Sequence, residues 1–145
     1  MSNLVKTGQL KEHTASAEEI SRLIAAAERN LTDAQVTGVS DGTRFDAAYK
    51  CIMQSASAAL LASGYRASTN VPGHHQTVIA TLRLTVGVPA DQIRLLDALR
   101  RQRNVNDYTG DVIDSNAVRE CVTAADALLE QIRQWLEKSL GGKGR

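Results

Sequence analysis

The feature of this chain that most constrains its fold is the spacing of apolar residues at steps of three and four. In the first such segment, Ile20, Ile24 and Leu31 fall on one helix face. Ser16 followed by Glu19 is the capping-box pattern at the start of that helix. The spacing continues in later segments, and no segment shows a convincing strand-like period of two. The sequence therefore predicts an all-α fold.

Turn residues divide this pattern into separate helices. Pro72 and Pro89 fall between helical segments, where a proline breaks no helix. Gly64 has the position of a left-handed residue that ends the second helix. Because the connections are short, we predict an antiparallel up-and-down bundle of four long helices, with a shorter fifth near residues 74–86.

Length and charge favour one small soluble domain. A chain of 145 residues fits a single domain, which we expect at residues 16–140. We expect a flexible N-terminus at residues 1–15 and a disordered tail at residues 141–145. Without a basic-apolar leader or an apolar run of about 18 residues, the expectation is a cytoplasmic protein with no membrane contact. A net charge of +1 means that any basic site must be local.

Cysteine and histidine give little support for a metal or a cofactor, and we expect neither. Cys51 and Cys121 fall on apolar helix faces, which predicts buried thiols. His74 and His75 are adjacent, and adjacent side chains on a helix point about 100° apart, so the two rings do not easily meet at one metal. We place both in the first turn of the short helix, with phosphate or partner binding as the alternative.

The arginine-rich stretch LRRQRNVNDYTGD, residues 99–111, is the candidate site. Arg103 lies four residues after Leu99 and seven after Leu96, so it continues the apolar face of its helix. A guanidinium on that face needs an acceptor, because it cannot lose its proton. Asp107, one turn later, is within reach of Arg103.

Two interpretations of this stretch remain open. In the structural one, caps and salt bridges end the helix and fix the following turn. In the functional one, Arg100 and Arg103 bind a phosphate and Asn104 orients it. Tyr108 then stacks on a base or hydrogen-bonds a phosphate oxygen, with Asp107 beside it. The two are compatible if one arginine is structural and the other faces outward.

The segment LLDALRRQRNVNDYTGDVIDSNAVRECVTAADALLEQIRQWL resembles the C-terminal half of a HEPN domain (higher eukaryote and prokaryote nucleotide-binding). The shared pattern is an apolar helix ending in Arg-polar-x-x-x-aromatic/His, a short turn and a long amphipathic helix. RFDAAYKCIMQSASAALLASGYR, followed by GHHQTVIATL, is similar to the front half of that domain. The resemblance covers roughly residues 16–138. It implies a bundle of four or five helices, usually a homodimer whose motif arginines lie near each other in an interface cleft.

The resemblance also implies roles for particular residues. Arg103 matches the motif arginine and Asn104 the polar residue after it, while Tyr108 stands where the ribonuclease members carry His. Many members are metal-independent ribonucleases. A phenol with a pKa of about 10 is poorly suited to proton transfer near pH 7, and Asp107, with an ordinary pKa of about 3.9, is a feeble proton donor there.

Three hypotheses follow from the residues and the resemblance. The first is a noncatalytic or weakly catalytic module that binds RNA or a nucleotide at a dimer cleft. The second is a metal-independent ribonuclease of the toxin type, with Arg103, Asn104 and Tyr108 as catalytic candidates, or with His74 or His75 supplying the missing imidazole. The third is a partner of a nucleotidyltransferase, in which Tyr108 accepts a nucleotidyl group.

Overall fold

The computed structural model of this chain describes residues 1–110 and 112–143, and it is mostly helical, as the sequence predicts. In chain order the elements are α1 (Ser2–Lys6), β1 (Leu10–Glu12), α2 (Ala17–Ala34), α3 (Asp41–Ala62), β2 (Tyr65–Ala67), α4 (His74–Thr85), α5 (Ala90–Thr109) and α6 (Ser115–Lys143). Among the described residues four helices are long, α4 is shorter, and α1, of five residues, is a sixth helix that the sequence does not predict.

Helices α2 and α3 are antiparallel neighbours. The Nε of Arg44, near the start of α3, donates to the carbonyl oxygen of Ala34 at the end of α2, at 2.8 Å. Further along, Asn30 Nδ2 donates to Gln54 Oε1, also at 2.8 Å. The second pair lies earlier in α2 but later in α3, so the two helices run in opposite directions.

Helices α5 and α6 also pack in opposite directions. Gln92, at the start of α5, exchanges two hydrogen bonds with Gln131 in α6, at 2.6 and 3.0 Å. Helix α6 begins at Ser115, soon after α5 ends, so a short segment connects the two helices. Gln92 and Gln131 both lie far from that segment. They can meet only because the two helices run antiparallel. Just before α6 begins, Asp114 Oδ1 accepts a hydrogen bond from the Asn116 backbone N–H.

Helix α3 lies at the centre of the core. The apolar stripe along it, whose members recur at steps of three and four, is fully buried: Phe45, Ala48, Tyr49, Ile52, Ala56, Ala59 and Leu60. The thiols of Cys51 and Cys121 are buried between α3 and α6, as predicted. Cys51 Sγ lies 3.9 Å from the carbonyl oxygen of Ala125, and Cys121 Sγ lies 3.9 Å from that of Phe45. Burial raises the pKa of Cys51 to about 11 and that of Cys121 to about 12, so both remain thiols at neutral pH.

Helix boundaries follow the capping signals in the sequence. Ser16 accepts a hydrogen bond from the Glu19 backbone N–H, and the Glu19 side chain accepts one from the Ser16 backbone, which completes the predicted capping box. Gly64 follows α3 with a φ of 95°, a conformation that side-chain-bearing residues rarely adopt. The left-handed residue predicted there is confirmed.

The first fifteen residues contain structure that the sequence pattern does not predict. Strand β1 pairs antiparallel with β2, with Leu10 opposite Ala67 and Glu12 opposite Tyr65. The Leu10 side chain is 1% exposed and joins the core. A strand of three residues is too short to display a period of two, and its partner is distant in the chain. The two strands are therefore an addition to the all-α prediction.

Two further expectations concern the chain's ends and the membrane. None of the described helices is long and apolar enough to cross a membrane. The predicted disordered tail, residues 141–145, lies partly outside the described residues. Helix α6, as described, extends to Lys143, while residues 144 and 145 lie beyond that range.

Candidate functional site

Arg103 lies on the face of α5 that contacts α3, as its spacing from Leu99 predicts. Its guanidinium carbon is 4.9 Å from the centre of the Tyr49 ring, and its side chain is 27% exposed. Tyr49 itself is buried. This cation–π contact attracts the positive charge to the face of a fixed aromatic ring. Arg103 is thus held in place by the core of the protein and does not extend freely into solvent.

Two carboxylates lie near the same guanidinium. Asp107 Oδ2 is 3.8 Å from Arg103 Nε, which confirms the predicted proximity within one helical turn, and Asp46 Oδ1 of α3 is 3.7 Å away. Both distances fit ion pairs but exceed hydrogen-bond length. Within residues 1–110 and 112–143, the buried Nε has no hydrogen-bond partner. An unbonded buried N–H costs about 1–3 kcal/mol, so it marks a position where a further acceptor would be stabilising.

An open pocket of about 380 Å³ lies beside Arg103, between the start of α3 and the end of α5. Its volume falls within the range of about 300–1,000 Å³ typical of small-molecule sites. Near α3, Ser40 Oγ accepts a hydrogen bond from the Thr43 backbone N–H and also hydrogen-bonds the Thr43 hydroxyl. The residues that line the pocket include Ser40, Thr43, Asp46, Arg103, Asp107 and Ile113. We call it the Arg103 pocket.

The hydroxyl of Tyr49 connects this site to α4. It lies 3.0 Å from His75 Nδ1, and burial raises the pKa of Tyr49 to about 12, so the phenol keeps its proton at neutral pH. Burial lowers the pKa of His75, and the neighbouring His74, Arg103 and Arg100 lower it further. We therefore assign His75 as a neutral imidazole whose Nδ1 accepts from Tyr49 and whose Nε2 carries the proton.

Arg100 is occupied by a partner on its own helix. Its Nε donates to Asp97 Oδ1 at 2.8 Å, and its side chain is 15% exposed. Arg101 Nε lies 3.4 Å from the other oxygen of Asp97, but its side chain is 66% exposed. The Asp97 carboxylate thus forms ion pairs with both Arg100 and Arg101. Arg100 is not among the residues that line the Arg103 pocket, so the structural interpretation fits Arg100 better than Arg103.

Two of the predicted site residues do not meet Arg103 in the structure. Asn104 is exposed, and the Tyr108 side chain is 94% exposed. Neither lines the Arg103 pocket. Both follow the arginine in sequence, but the helical rotation turns them towards solvent. Of the predicted group, the pocket unites Arg103 with Asp107.

Two residues around Arg103 were not predicted as site residues. Asp46 lies beside the apolar stripe of α3, and Tyr49, three residues later, belongs to that stripe. The detectable signal is a carboxylate at i and a phenol at i+3, positions that share a helix face. Single-sequence spacing could not show that this face meets Arg103, because α3 and α5 are far apart in the chain.

The described residues hold no group of three or more His, Cys, Asp or Glu side chains suited to a metal ion. His74 and His75 lie edge to face, with ring centres 4.6 Å apart. Comparison with known proteins assigns no family, since no protein-family model and no curated protein sequence matches the chain.

Proposed function

We propose that this chain is a HEPN-like protein that binds RNA or a nucleotide, with Arg103 as its principal phosphate contact. The proposal depends on three features of the Arg103 side chain. Its cation is held against Tyr49, it borders an open pocket, and its buried Nε has no hydrogen-bond partner among the described residues. A phosphate oxygen that meets the guanidinium after a small movement of the side chain supplies the missing acceptor.

The two carboxylates near Arg103 narrow the kind of ligand. Asp46 and Asp107 together outweigh the single positive charge of Arg103, so a bare anion entering the pocket meets repulsion as well as attraction. A nucleotide offsets that repulsion, because its ribose hydroxyls and base N–H groups can donate to carboxylates. The pocket is therefore better matched to a nucleotide or an RNA segment than to inorganic phosphate.

A binding role fits this pocket better than proton-transfer catalysis. No histidine is among its lining residues. The Nδ1 of His75 is occupied by the Tyr49 hydroxyl, and Tyr108 projects into solvent. General acid–base cleavage of RNA requires a group that exchanges protons near neutral pH at the reacting atoms. We accordingly propose a noncatalytic or weakly catalytic module.

The binding experiment uses fluorescence anisotropy with a labelled single-stranded RNA of mixed sequence. Arg103→Ala is compared with Arg101→Ala, which removes the same charge from an exposed position on the same helix. We expect Arg103→Ala to weaken binding by about tenfold or more and Arg101→Ala to change it little. The salt dependence of binding should also become shallower in Arg103→Ala, by about one phosphate contact. Circular dichroism melts establish that both variants fold. Equal RNA affinity of the Arg103→Ala variant and the wild type would contradict the proposal.

The dimer belongs to the same proposal. A homodimer would bring two copies of the Arg103 pocket to one cleft, so that a single RNA strand contacts both. We expect sedimentation velocity at micromolar concentration to show a dimer and the complex to contain one RNA strand per dimer. A monomer that binds RNA would remove the cleft from the proposal while keeping the pocket.

A second candidate function follows from Tyr108. Its 94% exposed phenol is accessible to another enzyme, which suits it to accept a nucleotidyl group from a partner nucleotidyltransferase. In that reaction the phenol oxygen would bond to the α-phosphorus of a nucleoside triphosphate, pyrophosphate would leave, and the phenol proton would pass to a base of the transferase. Intact mass measurement of protein from native cells tests this. A nucleotidyl adduct absent from Tyr108→Phe supports it, and unmodified protein contradicts it.

A further inference from the structure

A second cavity, of about 370 Å³, lies between α3, β2 and the start of α4. It shares no lining residue with the Arg103 pocket. Three of its lining residues carry basic side chains, Arg66 from β2 and His74 and His75 from α4, and we call it the histidine cavity. The histidine cavity is therefore a separate candidate site.

The charge of the histidine cavity differs from that of the Arg103 pocket. No Asp or Glu is among its lining residues. Arg66 forms no ion pair within the described part of the chain, and in the strand register it stands opposite Lys11, another cation. Like charges directly opposite on paired strands are destabilising. An anion at this position would therefore meet attraction from Arg66 without an opposing carboxylate in the cavity wall.

The imidazole of His75 adds a directed hydrogen-bond donor. Its Nδ1 is held by the Tyr49 hydroxyl at 3.0 Å, which fixes the ring and leaves Nε2 to carry the proton of the neutral form. Within the described residues, neither Nε2 of His75 nor the ring of His74 has a hydrogen-bond partner. An acceptor oxygen in the cavity would satisfy these groups.

The remaining wall of the histidine cavity is largely apolar. Met53 and Leu61 of α3 and Val78 of α4 contribute aliphatic surface, and Ser57 contributes a hydroxyl. Small-molecule sites commonly combine an apolar surface with a few polar groups that fix orientation. A ligand that fits this arrangement has an anionic head and an apolar body.

We propose that the histidine cavity binds an organic phosphate monoester, with the phosphate at Arg66 and His75 and the apolar body against Met53 and Leu61. His74 provides a second imidazole at the phosphate end. A dianionic phosphate suits this end of the cavity because it offers several acceptor oxygens to donors that come from two separate elements.

The test uses 1-naphthyl phosphate as the probe and isothermal titration calorimetry as the measurement. The protein carries Arg103→Ala throughout, so that the Arg103 pocket does not contribute. We expect saturable binding in this background and a loss of about tenfold in affinity when Arg66→Gln is added. The matched control is Arg83→Gln, which removes the same charge from an exposed position on α4 that does not line the cavity.

Four results would overturn this proposal. The first is no saturable binding of 1-naphthyl phosphate to a folded protein. The second is equal affinity with and without Arg66→Gln. The third is equal binding of 1-naphthol, which lacks the phosphate. The fourth is binding by the wild type that disappears in Arg103→Ala alone, since it would move the probe to the other pocket. RNA binding at Arg103 is measured separately and can succeed or fail whatever the outcome here.

Discussion

The guanidinium carbon of Arg103 lies 4.9 Å from the centre of the Tyr49 ring, and this contact joins the candidate site to the core. Tyr49 is buried in α3, so its ring holds the Arg103 guanidinium of α5 in a fixed position. The Tyr49 hydroxyl meanwhile holds His75 of α4. One side chain thus positions polar groups from two other helices.

The two parts of the Tyr49 side chain should have separable effects. Tyr49→Phe removes the hydrogen bond to His75 but keeps the ring, and we expect it to lower the free energy of unfolding by about 1 kcal/mol while preserving RNA binding. Tyr49→Leu removes the ring as well, and we expect it to cost about 2–4 kcal/mol and to weaken RNA binding. Urea denaturation and anisotropy measure both quantities. RNA affinity unchanged in folded Tyr49→Leu would show that the ring does not position Arg103.

Neutralising the carboxylates near Arg103 should strengthen phosphate binding. Asp46→Asn and Asp107→Asn each remove a negative charge that lies 3.7 or 3.8 Å from Arg103 Nε. Both carboxylates are largely exposed, so we expect changes in stability within about 1 kcal/mol. The control is Asp91→Asn, twelve residues before Arg103 on α5 and so about 18 Å away along the axis. Affinity for inorganic phosphate, measured by calorimetry, should rise in the first two variants and change less in the control. Weaker phosphate binding in both Asp46→Asn and Asp107→Asn would contradict the repulsion assigned to these carboxylates.

The buried environment of His75 predicts a stability that falls in acid. Burial lowers the pKa of His75 in the folded protein, whereas in the unfolded chain it titrates near its ordinary value of about 6.5. As the pH falls through 6.5, the unfolded chain therefore binds a proton that the folded protein resists, and the free energy of unfolding decreases. The contribution is fully present above that pH.

Thermal melts between pH 7.5 and 5 measure this effect. In His75→Gln we expect a shallower decrease in melting temperature with acidification than in the wild type. In His74→Gln burial still lowers the pKa of His75 and the bond to Tyr49 remains, so most of the decrease should persist. Identical pH profiles for the wild type and His75→Gln would contradict the prediction.

Most of the helices follow from the sequence because their signals are local. The capping box of Ser16 and the apolar stripe of α3 each depend on residues a few positions apart, and so does the pairing of Arg103 with Asp107. The approach of Tyr49 to Arg103 depends instead on how α3 and α5 pack. Spacing along one helix predicts which face of that helix a residue occupies. It does not predict which other helix packs against that face.

The N-terminal segment is a second case in which spacing along the chain does not predict a contact between distant elements. Residues 1–15 are predicted to be flexible because they are polar and carry no helical period, yet Leu10 is 1% exposed against a distant strand. Because this side chain is buried, Leu10→Ala should lower the free energy of unfolding by about 2–4 kcal/mol. Lys11→Ala, at the next and exposed position, is the control. Urea denaturation that finds less than about 0.5 kcal/mol for Leu10→Ala would restore the flexible N-terminus.

The most direct test of the central claim observes the Arg103 side chain itself during binding. In ¹H–¹⁵N spectra that select arginine Nε–H groups, the Arg103 signal is assigned by its absence in Arg103→Lys, and single-stranded RNA is then titrated into the wild type. We predict a large, saturable shift of this signal, at the RNA concentrations where anisotropy saturates, and a smaller change for Arg101. An Arg103 signal that stays in place while RNA binding goes to completion, or a protein that binds no RNA, would contradict the account.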